Sequence, residues 1–279
     1  MKTRIIVDST VDLVPEIKER VHTVPLTVHF GNEEYIDGVT ITHKEFYEKL
    51  IESEVLPTTS QATPSAFMKE FEKAKNANEA AVVITLSSKF SGTYQSAMIA
   101  AGDYENIYVV DSASAAMGSG ILVELAFRLL DEGKSAEEIA KTLEEEKSKI
   151  LIVALVDTLE YLKRGGRVSK TVAFAGGVLN IKPVLSVIDG EINMLGKARG
   201  SKMGNNLLVQ EINKAGGIDF DKPVLLGYSG ISDALLKKYI EDSRYIWEGN
   251  LEEVRYTSVG SVIGTHAGPG AVVVAFFKK

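Results

Sequence analysis

Hydroxyl side chains are concentrated in the stretch Thr85-Leu-Ser-Ser-Lys-Phe-Ser91-Gly-Thr-Tyr-Gln-Ser-Ala97. The apolar run 80–85 is short and β-branched, which predicts a buried strand, and residues 92–101 predict a helix. A strand, a hydroxyl-rich turn and a helix start together form an anion site. The first helical N–H groups lack partners, the dipole is positive there, and small side chains admit a ligand. The competing reading is that Ser91 only caps the helix, a position that favours Ser. Thr58-Thr59-Ser60-Gln61 is a second hydroxyl cluster ahead of another helix. Alone it reads equally well as turn chemistry. With the first cluster it would bring hydroxyls from two helix starts onto one small oxyanion.

Arginine adds a second kind of anion chemistry. Arg164-Gly-Gly-Arg167 sets two guanidiniums around a glycine pair, and Arg199 stands between glycines in Gly196-Lys-Ala-Arg-Gly200. Guanidinium binds carboxylate or phosphate in bidentate fashion, and surface ion pairing is the alternative at each position. It is the better reading for Arg164, beside Lys163. His266, in Gly264-Thr-His-Ala-Gly-Pro-Gly270, is expected on a glycine-rich loop, where a functional and a structural role are equally supported. Gly227-Tyr-Ser229-Gly230 lacks the spacing of a nucleophile elbow. Neither a Walker A motif nor GxGxxG occurs, so no familiar ATP cradle is expected.

Composition removes other classes. The 279 residues contain no cysteine, which rules out disulfides, thiol catalysis and thiolate metal sites. Histidines 22, 29, 43 and 266 show no HExxH spacing, and no metal is expected. A net charge of −7 disfavours nonspecific binding to nucleic acid or anionic membrane. Met1-Lys-Thr-Arg leads straight into a strand at 5–7, so no signal peptide is read, and no apolar run is long enough for a transmembrane segment. The expectation is a cytoplasmic protein.

The first half alternates strands (5–7, 23–30, 80–85, 106–110) with helices (43–54, 65–75, 92–101, 118–132, 135–149). Thr42-x-x-Glu45 and Ser135-x-x-Glu138 are capping boxes, Thr63-Pro64 starts a helix, and 57–64 is read as a loop. This alternation predicts a parallel-sheet, Rossmann-like α/β domain. Three strands end in Asp8-Ser-Thr10, Ser87-Ser88 and Asp111-Ser112, at the sheet edge where ligands bind in such folds. The second half reads as an α+β domain with a mixed sheet. Strands are expected at 150–156, 183–188, 191–199, 222–228, 252–259 and 271–277, with a hairpin at Asp189-Gly190. Helices are expected at 172–179, 202–215 and 232–242. The boundary is placed near 150–156, giving domains 1–153 and 154–279. The apolar stretches 172–179 and 259–263 read first as core and second as the lining of a tunnel.

Taken together, seven motifs in order resemble the DegV family of bacterial fatty-acid-binding proteins, some known as the FakB subunit of fatty acid kinase. They are Val7-Asp-Ser-Thr10, Thr59-Ser-Gln61, Leu86-Ser-Ser-Lys-Phe-Ser-Gly-Thr-Tyr94, Val110-Asp-Ser112, Leu162-Lys-Arg-Gly-Gly-Arg-Val168, Gly196-Lys-Ala-Arg-Gly200 and Thr265-His-Ala-Gly-Pro-Gly270. One departure is Ala62, where the family usually has Pro. The resemblance implies a two-domain fold with an acyl chain buried between the domains. It implies that Thr59 and Ser91, with His266, hold the carboxylate of a long-chain fatty acid such as palmitate, stearate or oleate. It also implies that Arg167 and Arg199 lie near the head group, stabilise phosphoryl charge or dock a partner. On this reading the chain is a non-catalytic lipid-binding subunit with no cofactor beyond its ligand. It presents the carboxylate to a fatty acid kinase catalytic subunit for acyl-phosphate formation. The alternatives are a hydrolase or transferase using Ser91 as nucleophile and His266 as base, and a lipid-responsive regulator.

Overall fold

The structure is a computed structural model that describes residues 1–102, 104–167 and 181–279. In chain order the first half comprises β1 (Lys2–Asp8), α1 (Pro15–Lys18), β2 (His22–Val24), β3 (Thr27–Phe30), β4 (Glu33–Ile36), α2 (His43–Glu52) and β5 (Thr58–Ser60). It continues with α3 (Pro64–Asn76), β6 (Glu79–Thr85), α4 (Thr93–Ala101), β7 (Ile107–Asp111), α5 (Ala116–Asp131) and α6 (Ala136–Glu146). The second half holds β8 (Ile150–Leu155), α7 (Glu160–Gly165), β9 (Ile181–Ile188), β10 (Glu191–Arg199), α8 (Gly200–Lys214) and β11 (Leu225–Tyr228). Helices α9 (Ala234–Asp242) and α10 (Arg244–Trp247), strand β12 (Tyr256–Ser258), helix α11 (Ser261–Ala267) and strand β13 (Val272–Phe277) complete it. The helix expected at 172–179 lies outside the described residues.

The N-terminal domain is built on a parallel sheet in the order β2-β1-β6-β7. Successive apolar residues send side chains to opposite faces. Ile5, Val7, Val82 and Ile84 therefore enter one core cluster, and Ile6, Ala81 and Val83 enter another. With both faces covered, the continuous apolar runs of β1 and β6 are what such strands require. Both capping boxes form: Thr42 with Glu45 opens α2, and Ser135 with Glu138 opens α6. The second half forms a six-stranded mixed sheet, β10-β9-β8-β13-β11-β12. Asp189 and Gly190 both take positive φ (52° and 79°), as the tight β9–β10 turn requires. Among the described residues no helix is long and apolar enough to cross a membrane.

Several expected elements differ. The single strand at 23–30 is two strands in two sheets. Pro25 lacks an N–H for the ladder, so β2 stops beside β1, and β3 begins a separate three-stranded sheet, β4-β3-β5. The expected loop 57–64 contains β5, which pairs with β3 and sets Thr59 opposite Val28. The 153/154 division falls inside β8, all of which belongs to the six-stranded sheet, so the change of sheet comes just before Ile150. The glycine-rich loop expected around His266 is largely helix, with His266 in the last turn of α11.

Candidate functional site

A cavity of about 410 Å³ lies between the six-stranded sheet and the segments that follow the ends of β2, β6 and β7, within the roughly 300–1,000 Å³ usual for small-molecule sites. One wall is a single face of the six-stranded sheet: Ile152 and Ala154 of β8 stand beside Val187 and Leu185 of β9, with Ile192 and Val273 flanking them. Val259, Val262 and Ile263 of the α11 segment form a second apolar wall. Stretch 259–263 is therefore cavity lining as well as core.

Five of the polar lining residues are linked to one another at one end. Thr59 Oγ1 lies 3.2 Å from His266 Nε2. His266 packs on Gly165, where a methyl group would overlap the imidazole. Arg167 donates from its guanidinium to Gly165 O at 2.6 Å and from Nε to Phe90 O at 3.3 Å, next to Ser91. Gln61 lies against Gly92 and donates to Ser96 Oγ at 3.0 Å. Thr59, Gln61, Ser91, Arg167 and His266 thus lie together at one end of a largely apolar chamber, whose lining also includes Ser60 and Ser186.

Hydrogen-bond accounting fixes what the two hydroxyls can do. Burial, and then the positive charge of Arg167, lower the His266 pKa to about 4, so the ring is neutral near pH 7. Its Nδ1 is buried without a partner among the described residues. An orphaned buried N–H is costly, so the favoured tautomer places the proton on Nε2, which donates to Thr59 Oγ1. The Thr59 O–H is then free to donate into the cavity. Ser91 is arranged alike. Its Oγ accepts from Thr93 N at 3.2 Å and lies 2.9 Å from Thr93 Oγ1. Thr93 is fully buried, and its Oγ1 accepts from Ala62 N at 3.3 Å. Thr93 is the fully buried partner of the two, so the arrangement that leaves no buried hydroxyl proton unpaired has Thr93 donating to Ser91, whose own O–H is then free at the cavity surface. Thr59 Oγ1 thus accepts one bond from behind and Ser91 Oγ two, and both O–H groups are left to donate into the cavity. The Ala62 departure has a consequence here, because a proline would have no N–H for Thr93.

This geometry also bears on the readings left open by the sequence. The N-cap of α4 is Gly92, not Ser91, which bonds one residue further on. The carboxylates at the strand ends are structural. Asp8, fully buried with its pKa pushed up by burial to about 6, accepts from Thr10 and from Leu86 N, tying the end of β1 to the end of β6. Asp111 accepts from Ser88 N and Ala113 N. Ser91 and His266 share a cavity but bond to Thr93 and Thr59 respectively, not to each other. Arg164 pairs with Glu160 at 2.8 Å, as the surface reading required. Arg199 is exposed at the junction of β10 and α8, and it is not among the cavity-lining residues. Gly165 escaped the sequence reading as a site residue. Its glycine pair was visible, but its contact with a ring about a hundred residues later was not.

A family model described as "Uncharacterised protein, DegV family" matches residues 2–279. A DegV domain-containing protein of Caldanaerobacter subterraneus subsp. tengcongensis is 38% identical over 284 residues, covering 100% of this chain and 99% of the relative. A solved structure described as showing fatty acid binding of a DegV family protein from Thermus thermophilus superposes with a TM-score of 0.89 at 32% identity, covering 100% of both chains. A stearic acid-binding protein from Eubacterium ventriosum superposes with a TM-score of 0.87 at 29% identity, covering 100% of this chain and 99% of that one.

Proposed function

The chain belongs to the DegV family, and from that premise we propose that it binds one long-chain fatty acid and presents the carboxylate to a separate kinase. The acyl chain occupies the apolar part of the cavity. Each methylene removed from water contributes about 0.8 kcal/mol, so a long chain supplies ample affinity. The carboxylate is the difficulty, since a desolvated anion is costly unless hydrogen-bonded. Thr59 and Ser91 meet it with O–H donors. His266 stays neutral and sets the Thr59 hydroxyl from behind.

The observation that carries this reading is the pair of pre-set hydroxyl donors at one end of an apolar chamber. Fatty-acid ligands in related structures support the ligand class. Arg167, at the cavity mouth, is suited to stabilising phosphoryl charge during transfer from the kinase. Arg199 is exposed, makes no ion pair among the described residues and lies off the lining, which suits it to partner docking. The hydrolase alternative lacks support, because Ser91 Oγ bonds to Thr93 and to no base among the described residues.

Titration calorimetry of delipidated protein with palmitate and with hexadecanol tests the head-group assignment. Palmitate should bind one-to-one and at least about tenfold more tightly, the worth of one charge-assisted hydrogen bond. Equal affinities would overturn the assignment.

A further inference from the structure

Helix α11 comes late in the chain, between two strands of the six-stranded sheet, yet its start is held by the N-terminal domain. Three consecutive residues are gripped. Ser258 Oγ lies 2.7 Å from His43 Nδ1. Val259 O accepts from the Tyr47 hydroxyl at 3.1 Å. Gly260 N donates to Asp12 Oδ1 at 2.9 Å. His43 and Tyr47 are four residues apart on α2 and so share one of its faces. Asp12 follows the end of β1. The fit is close: a methyl group at Gly260 would press on Asp12 Oδ1 at 3.0 Å and on His43 Nε2 at 3.2 Å, and one at Gly264 would overlap Tyr47 and Phe46.

This anchor is expensive for a loop. Asp12 is 3% exposed and Tyr47 fully buried, and the second oxygen of Asp12 has no partner among the described residues. An apolar contact would hold this buried segment more cheaply. What the grip supplies is orientation, since an engaged buried polar network fixes a single arrangement. The helix it orients carries Val262 and Ile263 on the cavity wall and His266 in its last turn. From Gly260 to His266 is about 9 Å along the axis at the helical rise per residue, so a tilt at the start is transmitted to the Thr59 bond.

We propose that Asp12, His43 and Tyr47 are positioning residues for the head-group site, fixing the start of α11 so that His266 keeps its bond to Thr59. The proposal rests on the reading of Thr59 as a carboxylate holder whose hydroxyl is set by His266.

The test compares dissociation constants for palmitate and hexadecanol in delipidated full-length protein. Tyr47→Phe removes only a hydroxyl, Asp12→Leu removes the acceptor at similar size, and Asp12→Asn restores it. Tyr47→Phe and Asp12→Leu should each reduce the preference for the acid by roughly three- to tenfold, the worth of a misaligned hydrogen bond, with hexadecanol affinity unchanged. Asp12→Asn should return the preference toward wild type. In a His266→Ala background, Tyr47→Phe should change the preference no further, because both act through one group. Acid and alcohol affinities falling together, or a full additive loss in the His266→Ala background, would overturn the proposal. If His266→Ala itself leaves the preference intact, the carboxylate reading fails and takes the proposal with it. A preference that depends on His266 but not on Tyr47 or Asp12 sinks only the positioning role.

Discussion

Replacing Thr59 with Val separates recognition from structure at the head-group site. Val keeps the shape and the β-branched backbone preference that suit strand β5, so the β3–β5 ladder should persist. Two hydrogen bonds change. In the free protein His266 Nε2 loses its acceptor at 3.2 Å, which costs stability by about 1–3 kcal/mol for a buried unpaired donor. In the complex the carboxylate loses one hydroxyl donor, and a bond to a charged group is worth about 1.5–3 kcal/mol. The orphaned imidazole is common to free and bound states, so only the second loss reaches the affinity. The dissociation constant for palmitate should rise roughly ten- to hundredfold, at about 1.4 kcal/mol per decade. Displacement of a fluorescent fatty acid measures this, and urea unfolding of the delipidated protein measures the stability loss independently. A variant that loses stability but binds palmitate within about twofold of wild type would show Thr59 to be structural, and the two-donor argument would be refuted.

Other outcomes follow from the same geometry. Gly165→Ala should weaken acid binding as His266→Ala does and lower stability by about 1–3 kcal/mol, because its methyl meets the His266 ring at the end of α7; normal binding would mean that the ring moves freely. The His266 pKa is lowered to about 4 from 6.5, so between those values the unfolded chain binds a proton that the folded chain does not. This contribution is fully present above about pH 6.5 and is lost as the pH falls toward 4. The stability advantage of wild type over His266→Gln should accordingly shrink between pH 7 and about pH 4.5, and a constant difference would contradict a neutral imidazole. Purified protein alone should not turn over acyl esters, since Ser91 Oγ is bonded to Thr93 rather than to a base; turnover abolished by Ser91→Ala would revive the hydrolase reading.

Much of the fold was legible because its signals are local. The capping boxes at Thr42 and Ser135, the Asp189-Gly190 turn and the apolar runs of β1 and β6 each depend on residues a few positions apart. Pro25 was a local signal too, but a continuous β-branched stretch masked it. The strand character of Thr58–Ser60 was not legible, since it exists only through pairing with β3, about thirty residues earlier. His266 lies among glycines that predict a loop. Gly264 instead fits because α11 packs against Tyr47 and Phe46, a contact no local pattern encodes. The cluster of Thr59, Ser91, Arg167 and His266 at one cavity end was readable as a set only through ordered motifs, because each partner is far away in sequence. The hydroxyl relays that give these residues a chemical direction required coordinates.

Native mass spectrometry of protein purified without added lipid tests the central claim most directly. The account predicts one co-purified long-chain fatty acid per chain, and reduced occupancy in a Thr59→Val/Ser91→Ala double variant that still folds. Protein that purifies empty and takes up no palmitate, or a double variant with undiminished occupancy, would contradict it.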